Sequence, residues 1–233
     1  MKKIALTLVA ATLIAASAFK SFAQTQQTRQ VSGFTGISSS NSFTVHVKID
    51  GTESLKISAD EKTINDIETV VENGTLKIGL KREFSWSHRD FGKVDVYVTA
   101  KSLSMLSNSG SGSITLDGVL DGNDVQIHIS GSGNITSAVK AGALAVHISG
   151  SGSVNLAGTS NDADVHISGS GQLRAKDFKT DELTVGLSGS GIAHITAEKK
   201  ISGHISGSGS LVYSGNPTEV DVRSSGSGRV RKG

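Results

Sequence analysis

Seven copies of the tetrapeptide Ser-Gly-Ser-Gly divide the second half of the chain into segments in which apolar and polar residues alternate. The copies begin at Ser109, Ser130, Ser149, Ser168, Ser188, Ser206 and Ser225, at intervals of 18 to 21 residues. One, three and five positions before the second copy, the residues are apolar: Ile129, Ile127 and Val125. Most later copies have apolar residues at the same three positions. This period of two predicts a strand with one buried face in each segment. A repeat of roughly 19 residues predicts a solenoid of stacked coils.

A second column of mostly apolar residues follows the motifs and predicts another short inward-facing strand in every coil. Its members are Ile114, Ile135, Val154, Leu173, Ala193, Leu211 and Val230. The glycines of the motif suit a corner, because glycine adopts positive φ without a Cβ penalty. Parallel crossovers are right-handed by default. We therefore predict an all-β fold, a right-handed single-stranded parallel β-helix with about 19 residues per coil.

The region before the motifs is also rich in predicted strands, but it lacks the repeat. Apolar and polar residues alternate over 43–49, and Asn73-Gly74 is a strong hairpin signal between two apolar segments. A helical turn is expected at most over 59–66. We interpret residues 31–105 as an irregular N-terminal β region that caps the solenoid, residues 106–233 as the coils, and 31–233 as one continuous domain.

The N-terminus has the three parts of a secretory signal peptide: two lysines, an apolar segment over 4–16, and small residues at Ser21 and Ala23. We predict a signal peptide over residues 1–23, a linker over 24–30, and no transmembrane segment in the mature form. Loss of the three lysines of the presequence lowers the basic count from 23 to 20, against 21 acidic residues. This near-neutral balance gives no reason to expect nucleic acid as a partner, and the absence of Cys excludes disulfides.

Together, the secretory peptide, the Val-Ser-Gly-Phe opening at 31–34, the mixed β half and the serial Ser-Gly-Ser-Gly coils resemble the head GIN domain family of auto-transporter adhesins. The resemblance covers nearly all of the mature chain. It implies a right-handed β-helix and an adhesin, and it implies neither catalytic residues nor a cofactor.

Two groups of residues are candidates for a binding surface. The first is a column of histidines, each two residues before a motif, at His128, His147, His166 and His204, with Gly186 interrupting the series. They are expected to point outward about 4.8 Å apart, where a polar ladder on the sheet is favoured over a metal site, and to lower one another's proton affinity. The second is an aromatic segment with Phe84, Trp86, His88 and Phe91, which could stack on sugars, although a plug over the apolar core is favoured.

Two functions of different class fit this sequence. The first is a non-catalytic, exported binding scaffold for a glycan or an envelope or surface protein, located in the periplasm, at the outer membrane or outside the cell. The second is a divergent β-helix lyase or hydrolase, which would need paired carboxylates on successive coils. The outward columns carry mainly Ser, Thr, Asn, Gln and His, which favours the first. We expect a monomer without metal or cofactor.

Overall fold

The computed structural model describes residues 24–81 and 91–233. The predicted signal peptide over 1–23 and three of the aromatic candidates, Phe84, Trp86 and His88, lie outside the described residues. Within those residues no helix has the length and apolar character that crossing a membrane requires.

Stacked parallel strands form most of the molecule, as predicted, and together they build a β-solenoid of about seven turns. Five long strands form its middle: β9 Ser113–Gly131, β10 Asn134–Gly150, β11 Ser153–Gly169, β12 Gln172–Gly189 and β13 Ile192–Gly207. Three shorter strands follow: β14 Ser210–Ser214, β15 Glu219–Gly226 and β16 Arg229–Lys232. Each long strand pairs in parallel with the next, and the Ser-Gly steps of the motifs lie opposite one another. The repeat therefore sets the register.

Every coil has two main faces, which we name by their position relative to the motif. The pre-motif face carries residues such as Gln126 and His128, and the post-motif face carries residues such as Thr136. A shorter third side, around Lys140, joins the two. Outward residues alternate with inward residues on both main faces, as the period of two predicts.

The core runs along the inside of the coils. The residues before the motifs, Ile129, Ile148, Ile167, Leu187 and Ile205, are at most 2% exposed. The column after the motifs is fully buried from Ile114 to Leu211, which confirms the second predicted strand. Burial of one such side chain contributes about 1.5–3 kcal/mol, so the stacked columns are the main source of stability in a chain without disulfides.

The N-terminal half is more regular than predicted, because part of it is a further coil of the solenoid. Its elements are β1 Thr25–Arg29, β2 Gly36–Asn41, β3 Thr44–Ile49, β4 Ser54–Ala59, α1 Glu61–Ile64, β5 Ile67–Glu72, β6 Thr75–Leu80, β7 Asp95–Ala100 and β8 Met105–Gly110. Strand β2 pairs in parallel with β8, and β3 pairs in parallel with β9. The predicted boundary at residue 106 therefore does not mark where the solenoid begins.

Asn41 explains why the sequence repeat misses this coil. It lies opposite Gly110 and adopts φ +66°, so it takes the corner position that glycine takes in the later motifs. Its carbonyl accepts hydrogen bonds from the backbone N–H groups of Ser111 and Gly112. Asparagine is one of the few non-glycine residues that tolerate this conformation.

Antiparallel strands flank this first coil. The hairpin of β5 and β6 forms around Asn73-Gly74, as predicted, with both residues at positive φ. On the post-motif face, β4 pairs antiparallel with β7, and β1 pairs antiparallel with β4. The interpretation of residues 24–30 as a linker is wrong for β1, which is a strand because its backbone groups pair with the edge of β4. One cluster of buried residues extends from Phe34 to Leu211.

Candidate functional site

The histidine column forms a ladder on the pre-motif face. His128, His147 and His166 lie opposite one another on β9, β10 and β11. Their rings are stacked, with centroids 5.1 and 5.3 Å apart and interplanar angles of 20° and 30°. The ladder follows directly from the sequence, because equal positions in parallel coils are brought to the same height and face.

Gly186 interrupts the ladder without leaving an open gap. A Cβ atom at this position would lie 2.5 Å from Nδ1 of His166 and 3.5 Å from Cε1 of His204. The rings on both sides of Gly186 therefore extend over its backbone. His204, the fourth histidine, therefore approaches the ladder across Gly186, where a larger residue would collide with the ring of His166.

The histidine rings of the ladder differ in their hydrogen-bond partners and in their burial. Nε2 of His166 lies 2.9 Å from Oδ1 of Asp164, and Nε2 of His128 lies 3.3 Å from Oε1 of Gln126. The pKa of His128 is lowered mainly because the ring is partly buried, and to a lesser extent because His147 is adjacent. The expected repulsion between neighbouring imidazolium groups is thus present at His128, although it is the smaller cause.

Stacked rings are poorly placed to share a metal ion. Parallel rings keep their nitrogens about one strand spacing apart, roughly 4.8 Å, which two Zn–N bonds of about 2.0–2.1 Å cannot bridge. In the ranges 24–81 and 91–233, no group of three or more His, Cys, Asp or Glu residues could hold a metal ion. The ladder is a row of hydrogen-bonding groups.

Phe91 is the one member of the aromatic segment that the structure places. Its side chain is partly buried against the core, and its carbonyl oxygen accepts a hydrogen bond of 3.1 Å from Oγ1 of Thr63 on helix α1. This helix packs against β4 and β1, away from the strands that carry the histidine ladder. Phe91 and the histidine ladder therefore do not form one site.

Sequence reasoning missed an aromatic and cationic cluster on the post-motif face, at its N-terminal end. Tyr97 on β7 is 42% exposed, and its ring stacks on His46 of β3 with centroids 5.0 Å apart. Nζ of Lys56 on β4 lies 4.9 Å from the centroid of the same ring. The pairings of β7 with β3 and β4 place the three residues side by side. The exposed ring is a platform of the kind that packs against another apolar surface.

A groove on the same face, nearer the C-terminus, was also missed. It has a volume of about 660 Å³ and crosses strands β9 to β13. Its apolar part includes Leu116, Leu156 and Ile192, and its polar part includes Arg174 and His194. We call it the post-motif groove. The signal in the sequence is the column in which Arg174, His194 and Arg231 follow their motifs by the same number of residues.

A bulge in β12 forms one wall of the post-motif groove. Ala175 pairs with Ile195, but Lys179 pairs with the next residue, Thr196, so β12 has three extra residues. Of these, Phe178 is fully buried and Lys176 and Asp177 line the groove. An extra residue in one strand bends the strand and redirects side chains, which is how this wall arises.

Comparison with known proteins places this architecture among adhesin-type domains. Residues 33–217 match the model of the family described as "Putative auto-transporter adhesin, head GIN domain". A search among curated proteins found no match.

Three solved structures share the fold over 90% of this chain and 96% of theirs. They are a "putative adhesin" from Bacteroides fragilis (TM-score 0.82, 22% identity), a "Putative lipid binding protein" from Parabacteroides distasonis (0.71, 22%) and a "putative adhesin" from Parabacteroides merdae (0.70, 19%). At these identities the likeness concerns the fold alone. The family model covers most of the chain, and the chain therefore belongs to the head GIN domain family.

Proposed function

We propose that this adhesin-like β-solenoid is a non-catalytic binding scaffold of the cell envelope or surface, exported by its N-terminal signal peptide. In this proposal the pre-motif face holds a glycan or an envelope or surface protein. The family description, an auto-transporter adhesin domain, supports a binding role.

The stacked histidine ladder carries the proposal. Three imidazole rings follow one another at 5.1 and 5.3 Å on a sheet whose neighbouring strands are fixed by backbone pairing. A ligand of repeating units, such as a glycan chain, can place one unit against the imidazole ring of each coil. Rigid presentation also lowers the entropy that binding costs.

A screen of the mature protein, residues 24–233, on an array of defined glycans tests this proposal. We compare the wild type with H128Q/H147Q/H166Q, which replaces each ring by a polar side chain on the outward side of the strands. A matched control, D121N/K140Q/T159S, changes three exposed residues of the same coils on the third side. Both variants should unfold at nearly the wild-type temperature, because neither alters the core.

Binding that is lost in the histidine variant and kept in the control supports the proposal. Binding that is equal in all three proteins contradicts the assignment to the ladder. Release of soluble products from a bound glycan identifies the alternative, a β-helix carbohydrate-active enzyme. If no glycan binds, the same variants are compared for binding to individually purified outer-membrane proteins, and failure there as well overturns the proposal.

A further inference from the structure

The cations of the post-motif groove lack a compensating negative charge. Nη1 of Arg174 donates to Oγ of Ser153 at 3.0 Å, and Nη2 donates to Oε1 of Gln172 at 2.6 Å. Both acceptors are neutral, so they orient the guanidinium group on the sheet without cancelling its charge. Among the described residues, neither Arg174 nor Lys176 forms a salt bridge.

The positive charges around the groove affect the protonation of His194. Its pKa is lowered first by burial and then by the positive charges of Lys176, Arg231 and Arg174. Asp177 is the one carboxylate among the residues that line the groove, against the two cations Arg174 and Lys176. An anionic group that enters the groove would replace water around cations that form no salt bridge, which is the arrangement that favours binding of an anion.

His194 also has an unsatisfied polar atom. Nδ1 of its ring has no contact with solvent and no hydrogen-bond partner. Buried polar atoms are nearly always paired in native proteins, so each exception needs a physical explanation. His194 lines the groove, so this unpaired atom belongs to a residue that a ligand there would contact.

The floor of the groove is aliphatic. Leu116 and Leu156 are 7% and 5% exposed, and Ile192 is partly exposed. Ala138 and Ala157 add small side chains, so the floor is a shallow channel across the coils. From β9 to β13 it crosses five strands, a span of roughly 19 Å at about 4.8 Å per strand. Its volume of about 660 Å³ lies within the usual range of pockets for small molecules.

We propose that the post-motif groove binds a single-chain amphiphile with an anionic head, such as a fatty-acid carboxylate, with the head at Arg174 and Lys176 and the apolar chain on the leucine floor. An acidic saccharide would satisfy the cations equally well. Its hydroxyl groups could hydrogen-bond to polar lining residues such as Asn155 and Gln172, but they would lose water without a new partner wherever they lie on the aliphatic part of the groove. The aliphatic floor therefore favours the amphiphile.

Isothermal titration with dodecanoate below its micelle concentration tests the proposal on the mature chain, residues 24–233. Dodecanoate should bind, whereas dodecyltrimethylammonium, which has the opposite head charge, and acetate, which lacks the apolar chain, should bind at least about ten-fold more weakly. R174Q/K176Q should weaken dodecanoate binding about ten-fold or more. K140Q, which removes an exposed cation from the third side, should leave it unchanged.

A second variant tests the floor independently of charge. A157Y places a large side chain in the channel at an exposed position, so it should block dodecanoate while the melting temperature stays near that of the wild type. The proposal fails if dodecanoate does not bind, or if either R174Q/K176Q or A157Y binds it like the wild type. It also fails if an oligogalacturonate, or vesicles of anionic phospholipid, bind at the groove and dodecanoate does not. H128Q/H147Q/H166Q should keep full affinity for dodecanoate, so this outcome is separate from that of the proposed function.

Discussion

The first glycine of each motif makes the clearest stability prediction. Gly150 has φ +110° and Gly169 has φ +107°, a conformation in which side chains other than glycine are strained. A Cβ at Gly150 would lie 2.5 Å from the carbonyl oxygen of Gly131, and one at Gly169 would lie 2.6 Å from that of Gly150. Each corner therefore rests directly on the corner of the neighbouring coil.

Two costs follow from replacing either glycine by valine. A non-glycine residue held in this conformation costs about 1–3 kcal/mol, and an atom forced into a packed site costs about 1–3 kcal/mol more. We expect a loss of about 2–6 kcal/mol, at roughly 2–4 °C of melting temperature per kcal/mol for a domain of this size. Alanine should cause most of the same loss, because the clashing atom is Cβ itself.

Urea unfolding followed by circular dichroism measures these differences, with calorimetry for the melting temperature. S151A and S170A are the matched controls, since both serines are exposed and lie beside the glycines. The backbone N–H of Ser151 donates to the carbonyl of Gly131 at 2.9 Å, and alanine keeps this bond. The controls should stay within about 0.5 kcal/mol of the wild type. Equal urea midpoints for G150V, G169V and the serine variants would refute this account of the corners.

Three further predictions concern other parts of the chain. Burial lowers the pKa of His128 in the folded state from its ordinary value of 6.5, so the unfolded chain binds more protons just below this pH and stability should fall as the pH drops through that window. H128Q should remove part of this dependence in urea titrations at several pH values, and an unchanged pH dependence would contradict the prediction. Phe178 is fully buried at the β12 bulge, so F178A should cost about 3–5 kcal/mol, and a calorimetric loss below 1 kcal/mol would contradict the packing described here. Export should remove residues 1–23, so N-terminal sequencing of the secreted or periplasmic protein should begin at Gln24, whereas an intact Met1 on a membrane-bound form would show that the segment is retained.

The histidine ladder could be predicted from the sequence because the repeat supplies the strand partner. When coils recur at a regular interval, equal positions lie opposite one another, and alternation then decides which side chains point outward. Both conditions hold for His128, His147 and His166. The predicted spacing agrees with the observed ring distances to within about one ångström.

The cluster around Tyr97 could not be predicted in this way. Alternation shows that Tyr97 and His46 lie on the outward side of their strands, but it does not identify the partner of either strand. The two residues are 51 positions apart and lie outside the repeat. The third member, Lys56, lies on β4, which pairs antiparallel with β7. Pairing of this kind depends on how the loops close, which a single alternating pattern does not encode.

The two glycines of a motif turned out to have different roles. Positive φ, the predicted reason for both, applies to the first glycine, as in Gly150. The second glycine, such as Gly152, is buried, and a Cβ there would collide with Cγ2 of Ile129 in the neighbouring coil. Close approach of the coils, not backbone conformation, therefore requires the second glycine. Spacing alone could not separate these two requirements.

The strand order also determines how the chain can assemble during synthesis. The β5–β6 hairpin closes a two-residue turn, so it can form as soon as residues 67–80 have emerged. The first coil closes over a longer stretch, because β8 and β9 pair with β2 and β3. From β10 onward each coil pairs with a coil that was made roughly 20 residues earlier, and the entropy of closing such a loop is nearly the same at each step. The chain can thus add coils in the order in which the ribosome or a translocation channel releases them, each finished coil serving as the template for the next.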